Sequence, residues 1–237
     1  MGSTAALNVA PIIGNGGEAV NFGYEMWHAA WKQGFYKYDA NLYGSDLRNF
    51  SSPFNTNNIG FLLLHGVYGT SADWYASLCQ QIYFPLWSFG VQIDGSVTSR
   101  QEWVRMSEMN FGGADASGLK WMAIMACFSL RSENVASMDA HSVYPFNSNL
   151  HFMLGVDTIV YAEPGFGGKW ARYMIHTNLT VWNSWLAAGK DSFKTVPSST
   201  VIDFAIWGHQ GNVNDHIDDY FLPSTGDFYY DKQTVHP

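Results

Sequence analysis

An α/β domain with a central, mostly parallel sheet is the fold class that the sequence predicts. Short apolar runs bounded by turn residues alternate along the chain with segments of helical spacing, which is the pattern of a sheet covered by helices. Hydrophobic residues make up 47% of the 237 residues and charged residues only 14%, so the chain has enough apolar material for a sizeable core. We therefore expect residues 1–237 to form a single three-layer domain.

The predicted strands are short, apolar and bounded by turn residues. Residues 58–64 and 119–127 are the clearest examples, because each apolar run is too short for a buried helix. Further strands are expected over residues 5–13, 150–155 and 199–207, the last of which is rich in β-branched and aromatic residues.

Apolar residues at helical spacing predict helices over residues 24–35 and 169–188. A short helix is also expected over residues 100–109. Residues 74–93 are apolar and aromatic, and are ambiguous between helix and strand. Residues 36–57 are polar and read as a long loop, which is a common place for function.

Two predicted strands each end on a residue with reactive chemistry. The first ends on His65 and Gly66, and the second ends on Cys127. Ligands bind outside the carboxyl ends of strands in open α/β sheets, and two parallel neighbours would bring these residues to one edge. A histidine beside a cysteine supplies or stabilises the thiolate that attacks carbonyl groups. The Gly66 N–H would then contribute to an oxyanion hole.

These strand ends resemble those of the caspase-like cysteine peptidases, which include caspases, gingipains, clostripain, legumain and separase. The matching stretches are residues 61–66 and 122–127, followed by a strand over residues 150–155, and the chain also looks like a bacterial branch of that superfamily. The resemblance implies a caspase-like three-layer fold and a peptidase in which Cys127 is the nucleophile and His65 is the base. Its expected partner is a peptide or small ester substrate.

Two alternatives remain open. Residues 63–74 also resemble the oxyanion loop of α/β-hydrolases, which implies an esterase or lipase. That family needs a nucleophile elbow, but the chain contains no Gly-x-Ser-x-Gly, and residues 125–129 come nearest to one. The other alternative is a non-catalytic, caspase-like interaction domain in which Cys127 is a small buried side chain.

Composition excludes several other classes of function. The net charge is −8 and no basic patch is visible, so nucleic acid is not an expected partner. No run reaches the roughly 18 apolar residues of a membrane span, and we expect a soluble protein, cytoplasmic or secreted after removal of a signal peptide. We predict no cofactor and no metal site, because the acidic stretch 212–219 lacks zinc or EF-hand spacing and is expected to be a solvated turn.

Overall fold

The computed structural model describes most of the chain. The described residues are 3–8, 17–38, 44–49, 51–63, 67–69, 81–93, 96–112, 118–140, 149–161, 163, 165–197, 199–219 and 227–235. In chain order the strands are β1 (Ser3–Asn8), β2 (Lys32–Tyr38), β3 (Ile59–Leu63), β4 (Val67–Gly69), β5 (Gln81–Ile93), β6 (Ser96–Arg105), β7 (Trp121–Met125), β8 (Phe152–Val156), β9 (Ile202–His209) and β10 (Phe228–Val235). The α-helices are α1 (Gly17–His28), α2 (Gly44–Arg48), α3 (Ser132–Ala140), α4 (Phe166–His176) and α5 (Val181–Ser192).

A seven-stranded sheet in the order β10-β9-β8-β7-β3-β1-β2 forms the centre of the protein. The pairs β1–β2, β1–β3, β3–β7 and β7–β8 are parallel. Strand β9 runs antiparallel to both of its neighbours. The predicted α/β class with a mostly parallel sheet is therefore confirmed. Strands β4, β5 and β6 form a separate antiparallel sheet inserted in the chain between β3 and β7.

Both faces of the central sheet are buried at β3, β7 and β8, which explains why these three strands are continuous apolar runs. On one face, Phe61 and Trp121 pack with side chains of α1, α4 and α5 such as Trp185. On the other face, Leu62 and Ile124 pack with side chains of α2 and α3 and of the short turns around them. The clearest predicted strands, β3 and β7, are thus the two central strands of this double core.

Two helix predictions were wrong in their boundaries. The helix expected over residues 24–35 begins at Gly17 and ends at His28, and β2 follows it from Lys32. The helix expected over residues 169–188 is two helices, α4 and α5. The break contains Asn178 in a left-handed conformation, with φ of 53°. The Thr180 side chain then accepts a hydrogen bond from the backbone N–H of Asn183, which caps the start of α5.

The prediction of a short helix over residues 100–109 was also wrong. Most of this segment is the second half of β6, which pairs antiparallel with β5 from Tyr83↔Arg105 to Ile93↔Ser96. Only Met106–Glu108 forms a single 3₁₀ turn. Pairing with β5 decided the structure, because a strand with a long hairpin partner gains ladder hydrogen bonds that outweigh a weak local helix preference.

Candidate functional site

The pairing of β3 with β7 determines where the site predicted at the strand ends lies. These strands are parallel neighbours in register, and their last pair of residues is Leu63 with Met125. Cys127 follows two residues after the end of β7. His65 follows the end of β3 by the same spacing and Gly66 by one residue more, but both lie outside the described residues, as does Cys79. The structure thus confirms that the two predicted strands are adjacent and end at one edge of the sheet.

A sharp turn follows Cys127 and leads directly into α3. Phe128 adopts a left-handed conformation with φ of 57°, which is rare for a bulky residue and marks local strain. Its backbone N–H donates to the carbonyl oxygen of Thr158 at 2.9 Å. The N–H of Ser129 donates back to the carbonyl of Ala126 at 3.2 Å, which closes the turn. Strained turns of this kind are often found at functional sites.

The buried hydroxyl of Ser129 fixes this turn to the sheet. Its Oγ donates to the carbonyl oxygen of Ile124 in β7 at 2.9 Å. It also accepts a hydrogen bond at 2.9 Å from the N–H of Val156 in β8. A Cβ atom on Gly155 would lie only 2.7 Å from this Oγ, so glycine is required where the turn meets β8. Ser129 therefore sets the position of the backbone that carries Cys127.

The Cys127 thiol is free, half-buried and covered on one side by the loop that follows β8. The backbone N–H of Val160 donates to Sγ, and Sγ donates to the carbonyl oxygen of Val160, each at 3.4 Å. The backbone nitrogen and the carbonyl oxygen of Val160 thus both contact the sulfur of Cys127. The loop after β8 is therefore part of the immediate surroundings of the candidate nucleophile.

A cavity of about 450 Å³ opens beside this loop at the carboxyl edge of the sheet. Its walls are residues 128 and 131–133 of the turn after Cys127, residues 157–159 and 161 of the loop after β8, residues 200 and 201 before β9, and Lys232 of β10. Because β9 runs antiparallel to β8, its first residues meet the last residues of β8 at this edge.

Charged side chains in the cavity lining are paired with residues of opposite charge. Buried Asp157 accepts hydrogen bonds from the N–H of Ser132, the hydroxyl of Tyr230 and the ammonium of Lys232. The Lys232 ammonium also lies 3.5 Å from Asp203. Its hydrogen bond to Asp157 raises the pKa of Lys232. Burial, together with the negative charge of Asp157, raises the pKa of Tyr230.

The prediction from sequence missed Ser129, Val160 and Asp157. A signal was present only for Asp157, which directly follows the apolar run of β8 just as His65 and Cys127 follow theirs. The contacts of Ser129 and Val160 depend on backbone geometry in a turn and in a loop, for which residue type gives no pattern.

A second polar cluster lies at the opposite edge of the sheet, where β7 and β8 begin. The Asp215 carboxylate is hydrogen-bonded to His151 Nδ1 and accepts from Trp121 Nε1 at 3.0 Å and from Asn212 Nδ2 at 3.2 Å. Burial lowers the pKa of Lys120, while the nearby charge of Asp215 opposes that shift. The expectation that the stretch 212–219 is a solvated turn was therefore wrong at Asn212 and Asp215, which are 1% and 3% exposed.

Among the described residues, no group of three or more His, Cys, Asp or Glu side chains is arranged to hold a metal ion. Within that same part of the chain, no helix is both long and apolar enough to pass through a membrane.

The fold and this site define an α/β protein with a free cysteine in a sharp turn at the carboxyl end of a central parallel strand. The chain belongs to a family described as a domain of unknown function, DUF6345, whose model matches residues 8–234. No curated protein and no solved structure matches the chain.

Proposed function

We propose that this protein is a cysteine-dependent hydrolase that cleaves peptides, with Cys127 as the nucleophile and His65 as its base. The in-register parallel pairing of β3 with β7 carries this proposal. Neighbouring strands lie about 4.8 Å apart, and residues 65 and 127 each follow their last paired residue by two positions. Side chains that leave two such strand ends are within reach of one another, which a nucleophile and its base require.

In the proposed reaction, the Cys127 thiolate attacks the carbonyl carbon of the scissile bond. The S–C bond forms while the carbonyl π electrons move to oxygen, and the N–H of Gly66 donates to that oxyanion. A donor of this kind contributes about 3 kcal/mol to transition-state stabilisation. The intermediate collapses, the C–N bond breaks, and protonated His65 gives its proton to the leaving amine. His65 then takes a proton from water, which attacks the thioester, and the carboxylic acid leaves as the thiolate is restored.

We infer further that the fold is the three-layer, caspase-like arrangement implied by the sequence resemblance. Two buried clusters on opposite faces of the central sheet support this inference, with α1, α4 and α5 on one side and α2 and α3 on the other. The position of Cys127 directly after a central strand that neighbours β3 supports it as well.

Digestion of a mixed peptide library, followed by mass spectrometry, tests the proposed activity. We expect the wild-type chain to cleave peptides and Cys127→Ala to show no detectable cleavage, because the covalent route requires the thiol. The substitution trims a small side chain, so it should lower the free energy of unfolding by only about 1–2 kcal/mol. Cys79→Ala is the matched control and should retain activity. Cleavage that persists in Cys127→Ala would refute the cysteine mechanism.

An esterase of the α/β-hydrolase type is the second candidate function. The observation that favours it is the sharp turn at Phe128 between β7 and α3, because a strained strand-to-helix turn exposes the nucleophile in that family. Hydrolysis of p-nitrophenyl esters without peptide cleavage would support this candidate. Inactivation by a serine-directed phosphonate would identify a serine nucleophile. If neither substrate is hydrolysed and Cys127 reacts no faster than a free thiol, the protein is a non-catalytic interaction domain.

A further inference from the structure

We propose that the cavity beside Cys127 is the subsite for an uncharged, apolar side chain of the peptide substrate, next to the bond that is cut. This proposal rests on the proposed function and names the substrate class of the same site. Three observations carry it: the loop after β8 both contacts the thiol and lines the cavity, exposed apolar side chains surround the cavity, and the charged side chains of its lining are paired.

The cavity and the thiol share one short loop. Val160 contacts the sulfur of Cys127 through both its N–H and its carbonyl oxygen. Its neighbours on either side, Ile159 and Tyr161, line the cavity, and so does Phe128, which directly follows the cysteine. The cavity is therefore lined by the sequence neighbours of both Cys127 and Val160, the residue that contacts its sulfur.

The rim of the cavity exposes apolar side chains to solvent. Ile159, Tyr161 and Val201 are 54%, 55% and 49% exposed, and they make up half of the large exposed hydrophobic side chains in the described part of the chain. Exposed apolar side chains gathered around a concave site indicate that a ligand covers them. The cavity volume of about 450 Å³ is in the range of small-ligand pockets, roughly 300–1,000 Å³.

The charged side chains that line the cavity already have partners of opposite charge. Lys232 lies against Asp157 and Asp203, and Arg131 donates to Glu133 at 2.8 Å. A charged substrate side chain would have to compete with these ion pairs, whereas an apolar side chain would cover the rim and leave them intact. The chemistry of the cavity therefore favours an aliphatic or aromatic group.

Alkylation of Cys127 tests the subsite without requiring catalysis. Iodoacetamide and N-benzyl iodoacetamide carry the same electrophile, and in both the sulfur forms an S–C bond as iodide leaves. Peptide mass spectrometry measures the rate of each adduct at Cys127 in the full chain, and glutathione provides the intrinsic rate ratio of the two reagents. After this correction we expect Cys127 to prefer the benzyl reagent by about tenfold, the usual scale for filling an apolar pocket.

Two valines of nearly equal exposure provide a matched pair of variants. Val201→Asp, at the cavity, should remove the preference, measured as the ratio of the two rates in the same variant, whereas Val201→Leu should keep it. Val20→Asp changes a residue that is 47% exposed on α1, remote from the cavity lining, and should also keep the preference. Circular dichroism and urea denaturation establish that each variant is folded. A wild-type chain without the preference, or a Val201→Asp chain that retains it, would overturn the proposal.

The same measurement separates this proposal from the proposed function. A benzyl preference without any peptide cleavage would leave the cavity as an apolar ligand site and refute the hydrolase. Peptide cleavage without the preference, or without a bias toward apolar residues beside the cleaved bonds, would leave the hydrolase and refute the subsite.

Discussion

Replacing Ser129 with alanine perturbs the turn that carries Cys127 without touching the cysteine itself. The Ser129 side chain is fully buried, and its Oγ bridges Ile124 of β7 and Val156 of β8 with two hydrogen bonds of 2.9 Å. Each bond contributes about 1 kcal/mol net, and a buried N–H left without its acceptor costs about 1–3 kcal/mol. Because the N–H of Val156 would lose this acceptor, we expect Ser129→Ala to lower the free energy of unfolding by about 2–4 kcal/mol.

Ser184→Ala is the matched control for this experiment. Ser184 is as buried as Ser129, but its hydroxyl makes no hydrogen bond with any described residue. Its removal should therefore change the free energy of unfolding by no more than about 1 kcal/mol, and in the stabilising direction. Urea denaturation followed by the fluorescence of the ten tryptophans gives both values by linear extrapolation. Equal losses in the two variants would show that the Ser129 bridge does not hold the turn.

Two further predictions concern the charged clusters at opposite edges of the sheet. Asp215→Asn weakens the hydrogen bonds that the buried carboxylate accepts from Trp121 and Asn212 and should cost about 1–3 kcal/mol in urea denaturation, whereas Asp218→Asn at an exposed neighbour should cost almost nothing; similar values for both would show that the buried cluster does not stabilise the fold. The pKa of Lys232 is raised above its usual value of 10.5 by its hydrogen bond to Asp157, so the stability from this pair is complete below pH 10.5 and is lost as the pH rises through the raised pKa. Because the Lys232 side chain is 43% exposed, this contribution is small, below about 1 kcal/mol, and should appear as a steeper alkaline fall in Tm for the wild type than for Lys232→Met between about pH 9 and 12.

The central strands could be predicted from sequence because their pattern is local. Strands β3 and β7 are buried on both faces, so each is a continuous apolar run that ends where polar residues begin. The strand β6, by contrast, could not be predicted from its own sequence. Four of residues 100–105 are charged or polar, and the extended conformation of this segment depends on the hairpin with β5.

In the candidate site, too, some features could be predicted from local sequence and others could not. The position of Cys127 after a buried strand was predicted from its own neighbours. The cavity beside it was not, because its walls come from the loop after β8, from the start of β9 and from Lys232, which only the folded sheet brings together. The same holds for Asp215, which was expected to belong to a solvated turn but is buried because Trp121 of β7 and His151, just before β8, contact it.

The order of the strands leaves β2 and β10 as the outer members of the seven-stranded sheet. An outer strand offers unpaired backbone groups to any other chain, and it invites growth of the sheet from one molecule to the next. Here β2 begins with the exposed Lys32, and β10 carries the exposed Lys232 in its middle. A lysine on an outer strand is one of the features by which natural proteins disfavour such edge-to-edge pairing. We therefore expect these two lysines to disfavour growth of the sheet, and in β10 the same side chain reaches back to Asp157 and Asp203 and forms part of the cavity beside Cys127.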